Sequence, residues 1–440
     1  MSGPKVVRVV TREELVAAGT ALLARLDAAV AQWTRDCGNL LKPADVEVTT
    51  KRRNELAAIL AADRFGEFGQ AAAKEIDFLE ADASQRRERA AQARAMERMR
   101  QARGQELAKT LLRAGGNLAP QLRTELEKAS AGQLSVAAMD TALSQARQAL
   151  FQVAPEAATP AQNALAQRLG AAESESSFEA WSAKAAKPDV RLQSAFSQLE
   201  ELDSLGFAAE AGTLEAQLRA AQALEEGATR DMRLDTLVLA LRKAKDGALA
   251  KVKLLRQVEL VRAELSAAAG QTEAMTKLGS ASVHLSEEQL QALTELGREE
   301  LGKAQAAAAA AARRKAVLDG LQRLGYQVQD GLSTLTPESG RLVVRRPSDS
   351  TYGVELVTGA NQKVQVRTVA FEPGRDSSQD VAEEQRWCGD FGKLQADLKA
   401  SGCEVVVERA MGVGTTAVRV IEAQQARSRD RGTQRPSAAS

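Results

Sequence analysis

Residues 234–265 read LDTLVLALRKAKDGALAKVKLLRQVELVRAEL. Within them Leu234, Leu237, Leu241, Ala244, Ala248, Val252, Leu255, Val258, Val261 and Leu265 recur at steps of three or four residues. The mean step is about 3.4, close to the 3.5-residue repeat that keeps an apolar row on one side of a left-handed supercoiled helix. Lys243, Lys245, Lys251 and Lys253 flank the row. Burying a leucine or valine contributes about 1.5–3 kcal/mol, whereas an ion pair on a helix surface contributes about 0.2–0.5 kcal/mol. The row must therefore find an apolar partner. Either it folds back on helical stretches near 189–226 or 287–324, or it meets another chain. Leu234, Leu237, Leu241, Val252, Leu255, Val258 and Leu265 are its candidate coiled-coil seam.

The rest of the chain fits this helical reading. Alanine, leucine, glutamine, glutamate and arginine dominate, aromatics are 3%, and there are only 10 prolines in 440 residues. That composition marks long helices and coiled coils. Upstream, residues 1–10 read as an extended arm or edge strand. Thr11 then opens a helix with Glu14 three residues on, and Leu15, Ala18, Leu22, Leu26, Ala29 and Trp33 lie along one face. Gly38 and the Pro43 region end it. Thr49 and Thr50 offer the cap of a much longer helix reaching about residue 113, interrupted near Gly66 and Gly69. Beyond Phe78 that helix loses its apolar stripe and reads as a solvated rod. Gly115–Asn117, Val153–Pro160, Lys187–Asp189 and Gly206 punctuate the middle of the chain.

Downstream the character changes at Gly325, which ends a helix opened by the Ser286/Gln289 capping box. Sixteen valines lie from Val317 to Val420, and alternation replaces helical periodicity. Leu342–Arg346, Tyr352–Val357 and Lys363–Val369 read as strands joined by turns at Pro347 and Gly359–Asn361, with Gly340 a turn before the first. A helix over 378–401 and two further strands, 403–408 and 417–421, follow. Short connections favour antiparallel pairing. The expected fold is mainly α: an elongated helical, coiled-coil body with a small C-terminal α+β domain. The expected division is 1–150 (helical, with a long hairpin), 151–304 (central helical), 305–422 (α+β) and 423–440 (a disordered basic tail with Arg427, Arg429, Arg431 and Arg435).

The chemistry-bearing residues are sparse. Three cysteines form no C-x-x-C pair, and the longest apolar run, Ala306–Ala312, is far short of the ~20 residues that cross a bilayer. No targeting signal is evident, so a cytoplasmic protein without a membrane role is expected. The one histidine, His284, lies in a loop and reads as an ordinary loop residue; alone it cannot build a two-histidine metal site. Gly412–Thr416 is glycine-bearing but lacks the lysine and following helix of a phosphate loop, and reads as a hairpin turn. Cys388, beside Trp387 and Phe391, and Cys403 read as packing residues. No catalytic residue, cofactor or metal ligand is expected.

Two patterns point elsewhere. The order helix, three-stranded meander, helix, strand resembles the core of the PD-(D/E)xK nucleases, which implies magnesium-dependent cleavage. Here Glu355 and Gln365-Val366-Arg367 stand where acids and a lysine would be needed; Gln365 carries no charge and Arg367 is not the lysine. Arg86, Arg87, Arg89, Arg94, Arg98, Arg100 and Arg103 face only Glu88 and Glu97. They read as a solvated helix face, or as a candidate surface for an acidic protein or for nucleic acid. Against nucleic acid stand the balanced whole-chain charge, 59 basic to 58 acidic, and the lack of interleaved aromatics. The expected function is a non-enzymatic interaction or scaffold protein, with protein partners or self-association. A nucleic-acid-associated accessory protein and a degenerate nuclease-like domain are the alternatives.

Overall fold

The computed structural model describes residues 4–114, 118–151, 190–225, 227–328, 341–347, 351–358, 363–374 and 376–421. The punctuation read at 115–117, 153–160 and 187–189, the turns at Gly340 and 359–361, and the basic tail lie outside them. The protein is mainly α-helical with a small α+β domain in its C-terminal region.

Helix α1 (Arg12–Cys37) starts where Thr11 Oγ1 accepts the Glu14 amide at 3.2 Å and stops at Gly38, whose φ of 46° continues no helix. The next helix begins earlier than Thr49. α2 (Pro43–Ala61) has Pro43 at its first position, and Asp45 accepts the Lys42 amide at 3.0 Å. Proline lacks only a donor that the first turn leaves unused, so it starts this helix rather than ending the one before. Asp63, with φ 58°, breaks the chain just ahead of Gly66, and α3 (Phe65–Ala114) follows. At 50 residues α3 extends about 75 Å.

Helices α4 (Pro120–Ser130) and α5 (Val136–Phe151) fold back on the end of α3, burying Ala108, Leu126, Ala129, Met139 and Ala146. Next come α6 (Val190–Ser204), α7 (Ala208–Gln222), α8 (Ala228–Ala269), the short α9 (Glu273–Gly279) and α10 (Glu287–Arg323). The Ser286/Gln289 capping box opens α10 with both reciprocal bonds present, and Gly325, φ 84°, turns the chain away. Among the described residues no helix is long and apolar enough to cross a membrane.

The sheet contains β2 (Gln327–Val328), β3 (Arg341–Arg345), β4 (Tyr352–Thr358), β5 (Lys363–Ala370) and β6 (Glu404–Ala410), with α11 (Ser377–Ala400) between the last two. With Lys5–Val10 as β1, its spatial order is β2-β3-β4-β5-β1-β6, every neighbour antiparallel. Strand β1 (Lys5–Val10) comes from the other end of the chain and is interior, not an edge: it pairs with β5 on one side and β6 on the other. Val6 opposes Arg409 and Val7 opposes Val407, so Glu408 is the extra residue of a bulge on the last strand of that order. The short β7 (Arg419–Val420) pairs in parallel with the end of β5, so 412–416 is a crossing loop and not a hairpin turn. Val7, Val9, Val364, Val366 and Val405 form one sheet face, and Val317, Leu321, Trp387, Phe391, Leu394 and Leu398 of α10 and α11 cover it.

Candidate functional site

The seven arginines of α3 do not project into solvent from a bare rod. Ala91 and Ala95 between them are buried, and α3 packs along α6. Four of the seven grip carboxylates on other elements. Arg86 binds Asp82 at 2.7 Å and Asp45 of α2 at 3.0 Å. Arg87 meets Asp36 of α1 at 3.1 Å, and Arg256 of α8 reaches the same oxygen at 2.5 Å. Arg94 and Arg98 each approach one oxygen of Glu200 on α6 at 2.6 Å, and Arg98 also contacts Glu215 of α7 at 3.3 Å. Glu200 is 3% exposed, while the two guanidinium side chains are 46% and 42% exposed. The carboxylate is therefore dry and its cations are wet. Arg89, Arg100 and Arg103 are exposed.

The seam of α8 is used within the chain, and by two partners in turn. Leu234, Leu237, Leu241 and Ala248 bury against Phe196, Leu199, Leu202 and Leu218 of α6 and α7. Val258 and Leu265 bury with Met275, Leu278 and Leu301 of α9 and α10. Val252 and Leu255, at the changeover, are half-buried. Gly297 sits where Val261 approaches: a Cβ there would stand 2.6 Å from its Cγ1.

In the head, α11 turns three polar residues inward. Asp390, 5% exposed, accepts the Tyr326 hydroxyl at 2.9 Å and is bound by Arg346. Burial, helped by Asp390, pushes the Tyr326 hydroxyl well above its ordinary 10. Glu384 accepts the Gly414 amide at 2.7 Å, tying the crossing loop to the helix. Cys388 lies 3.6 Å from the Nζ of Lys5, which is 4% exposed and 4.5 Å over the Phe391 ring. Burial lowers the Lys5 ammonium from its ordinary 10.5, opposed by Cys388 and Glu384. The Lys5 Nζ donates to the Cys388 sulfur. Reading Cys388 as packing alone missed this, because its cation is 383 positions away in sequence. Cys403 is buried in the core, as its sequence suggests, and His284 is exposed in a turn. Glu355 is wholly buried and paired with Arg367 across the strands. Among the described residues no three His, Cys, Asp or Glu side chains gather where they could hold a metal ion.

Beneath the head, α1, the end of α8 and the alanine tract of α10 leave a cleft of about 550 Å³ between them. Its charged members are Glu14 and Arg313, 3.7 Å apart. Compared with protein-family models, with curated proteins and with solved structures, the chain has no match.

Proposed function

We propose that the chain is a non-enzymatic cytoplasmic interaction protein, a helical frame that assembles through its long helices and offers its α+β head to a protein partner. The supporting observation is on α8. Its Leu234, Leu237 and Leu241 row is consumed inside the chain, yet Met232 and Leu239 stand 66% and 67% exposed, one heptad apart, on the far face. Large apolar side chains repeated at that spacing suit a partner helix. The head suits partner binding because its polar groups are held in fixed geometry by Trp387 and Phe391 packing.

Light scattering of the purified chain tests assembly. Concentration-dependent association that Met232→Glu with Leu239→Glu abolishes is the expected result. A monomer at every concentration, with the double variant indistinguishable, removes the reading. The nucleic-acid alternative is weakened by the clamps, since Arg86, Arg87, Arg94 and Arg98 already neutralise carboxylates of the same chain. Gel shift at about 50 mM salt, where phosphate attraction is strongest, is expected to show no complex.

A further inference from the structure

Strand β1 puts Lys5, Val7 and Val9 on one buried face, and Lys5 is 4% exposed. Alternation on that face calls for an apolar residue, yet the sequence supplies a lysine. Its backbone is fixed from both sides, opposite Val366 of β5 and Ala410 of β6. Held there, Nζ lies 4.5 Å over the Phe391 ring and 3.6 Å from the Cys388 sulfur on α11. Among the described residues that sulfur is the one hydrogen-bond acceptor Nζ has, and no carboxylate forms an ion pair with it. A buried ammonium without a paired carboxylate is costly. Burial accordingly lowers this one from its ordinary 10.5 and enlarges the neutral fraction, whose lone pair is nucleophilic.

A half-buried cysteine alone makes no site. The buried amine pressed against it is the second, independent sign, and the two elements that carry them come from opposite ends of the chain. Beside Cys388, Gly389 is exposed, with open space where a Cβ would stand, so a small oxidant has a way in. We propose that Lys5 and Cys388 form a reversible sulfur–nitrogen cross-link, set by peroxide and released by thiols, that ties β1 to α11. Hydrogen peroxide transfers one oxygen to the thiol, giving a sulfenic acid and water. The Lys5 lone pair then attacks that sulfur. An S–N bond forms, the S–O bond breaks, and the hydroxyl leaves with a nitrogen proton as a second water. Sulfur has lost two electrons and peroxide has gained them. A thiol reverses the step by attacking the sulfur and returning a proton to the amine, and a second thiol reduces the mixed disulfide left behind. Such a bond restrains the unfolded chain as a disulfide does, so redox state sets how firmly the first strand is held in the head. The pair shares no residue with the assembly surface on α8, so either can fail alone.

The test is mass spectrometry of the full chain, treated with a modest excess of hydrogen peroxide and digested without reductant. The expected product joins the peptide holding Lys5 to the one holding Cys388, lighter than their sum by two hydrogens, and dithiothreitol restores the separate peptides. Cys388→Ser, which keeps the size of a half-buried side chain, should abolish it. Dimedone, which traps sulfenic acid, should label Cys388 several-fold more in Lys5→Met than in the wild type, because the competing amine is gone. Peroxide added to the urea-unfolded chain should give no joined peptide. The proposal is overturned if wild-type Cys388 stays unoxidised, or is oxidised with no joined peptide. Equal dimedone labelling with and without Lys5, or an equal yield of cross-link from the unfolded chain, also overturns it.

Discussion

The helical frame and the head hold themselves together by different means. The head packs large side chains: Tyr326 meets Trp387 edge-on at 5.9 Å and Trp387 meets Phe391 at 6.1 Å, above a valine-lined sheet. The frame buries leucine rows spread over many helices, among them Leu26, Leu79, Leu202, Leu234 and Leu265, interleaved with alanines such as Ala72, Ala83, Ala91, Ala95 and Ala108, which bring helices close but remove little apolar area each. Ion pairs add further long-range ties to this packing: Asp36 joins α1, α3 and α8, and Glu200 joins α6 to α3. A fold of long leucine and alanine rows with bridging charges spreads its stability over many sites along its length. One of large aromatic contacts concentrates it.

That contrast can be broken by substitution. The largest expected effect is in the head, where Trp387→Ala should cost about 3–5 kcal/mol, read by denaturant unfolding of the head with frame helicity retained. Next comes Arg94→Ala with Arg98→Ala, which leaves Glu200 buried without a cation. Removing the partner of a buried charge costs about 3–5 kcal/mol, and the wet guanidinium sites let water in, so about 2–3 kcal/mol is expected. Glu200→Gln should cost less, about 1 kcal/mol, because both arginines can turn to solvent. Reversal of that order would mean that the buried end of the clamp is not the sensitive one. Gly297→Ala should cost about 1–3 kcal/mol by pressing on Val261 and Leu278.

The smallest effects concern thiols. Burial pushes Cys37 and Cys403 up from their ordinary 9.0. The unfolded chain therefore loses those protons first, and their contribution to stability declines as pH rises past about 9. Replacing both by alanine should flatten that decline. Lys5 works in the opposite sense: its folded form sheds a proton more readily, so its contribution rises as pH climbs toward 10.5. Alkylation followed by mass spectrometry should label the half-buried Cys388 well before the buried Cys37 or Cys403.

Much of this architecture was legible in the sequence because its signals are local. The cap at Thr11, the box at Ser286 and Gln289, the stop at Gly325 and the alternating valines each report on a few neighbouring residues. The missed features are non-local. Nothing near Lys5–Val10 says that this strand enters a sheet whose other strands begin more than 300 residues later. Nothing around Arg94 names Glu200, so seven arginines on one helix read as a solvated face. The start of α2 was misread for another reason: Pro43 both ends helices and begins them, and only Asp45 three residues past Lys42 distinguishes the two. The Arg313 cleft left no pattern at all, since it is made of what three alanine-rich helix faces fail to fill.

Hydrogen exchange at about 50 mM and about 1 M potassium chloride compares the two regions in one molecule. Partly exposed ion pairs are screened at the higher salt, where the Debye length falls to about 3 Å, whereas apolar packing is not weakened. Residues 190–222, clamped to α3 through Glu200 and Glu215, should exchange faster at high salt, while strands 352–358 and 363–370 keep their protection. Equal protection of residues 190–222 at both salts, or loss confined to the strands, would contradict a clamp in which charge, beside the leucine packing, holds α6 and α7 to α3.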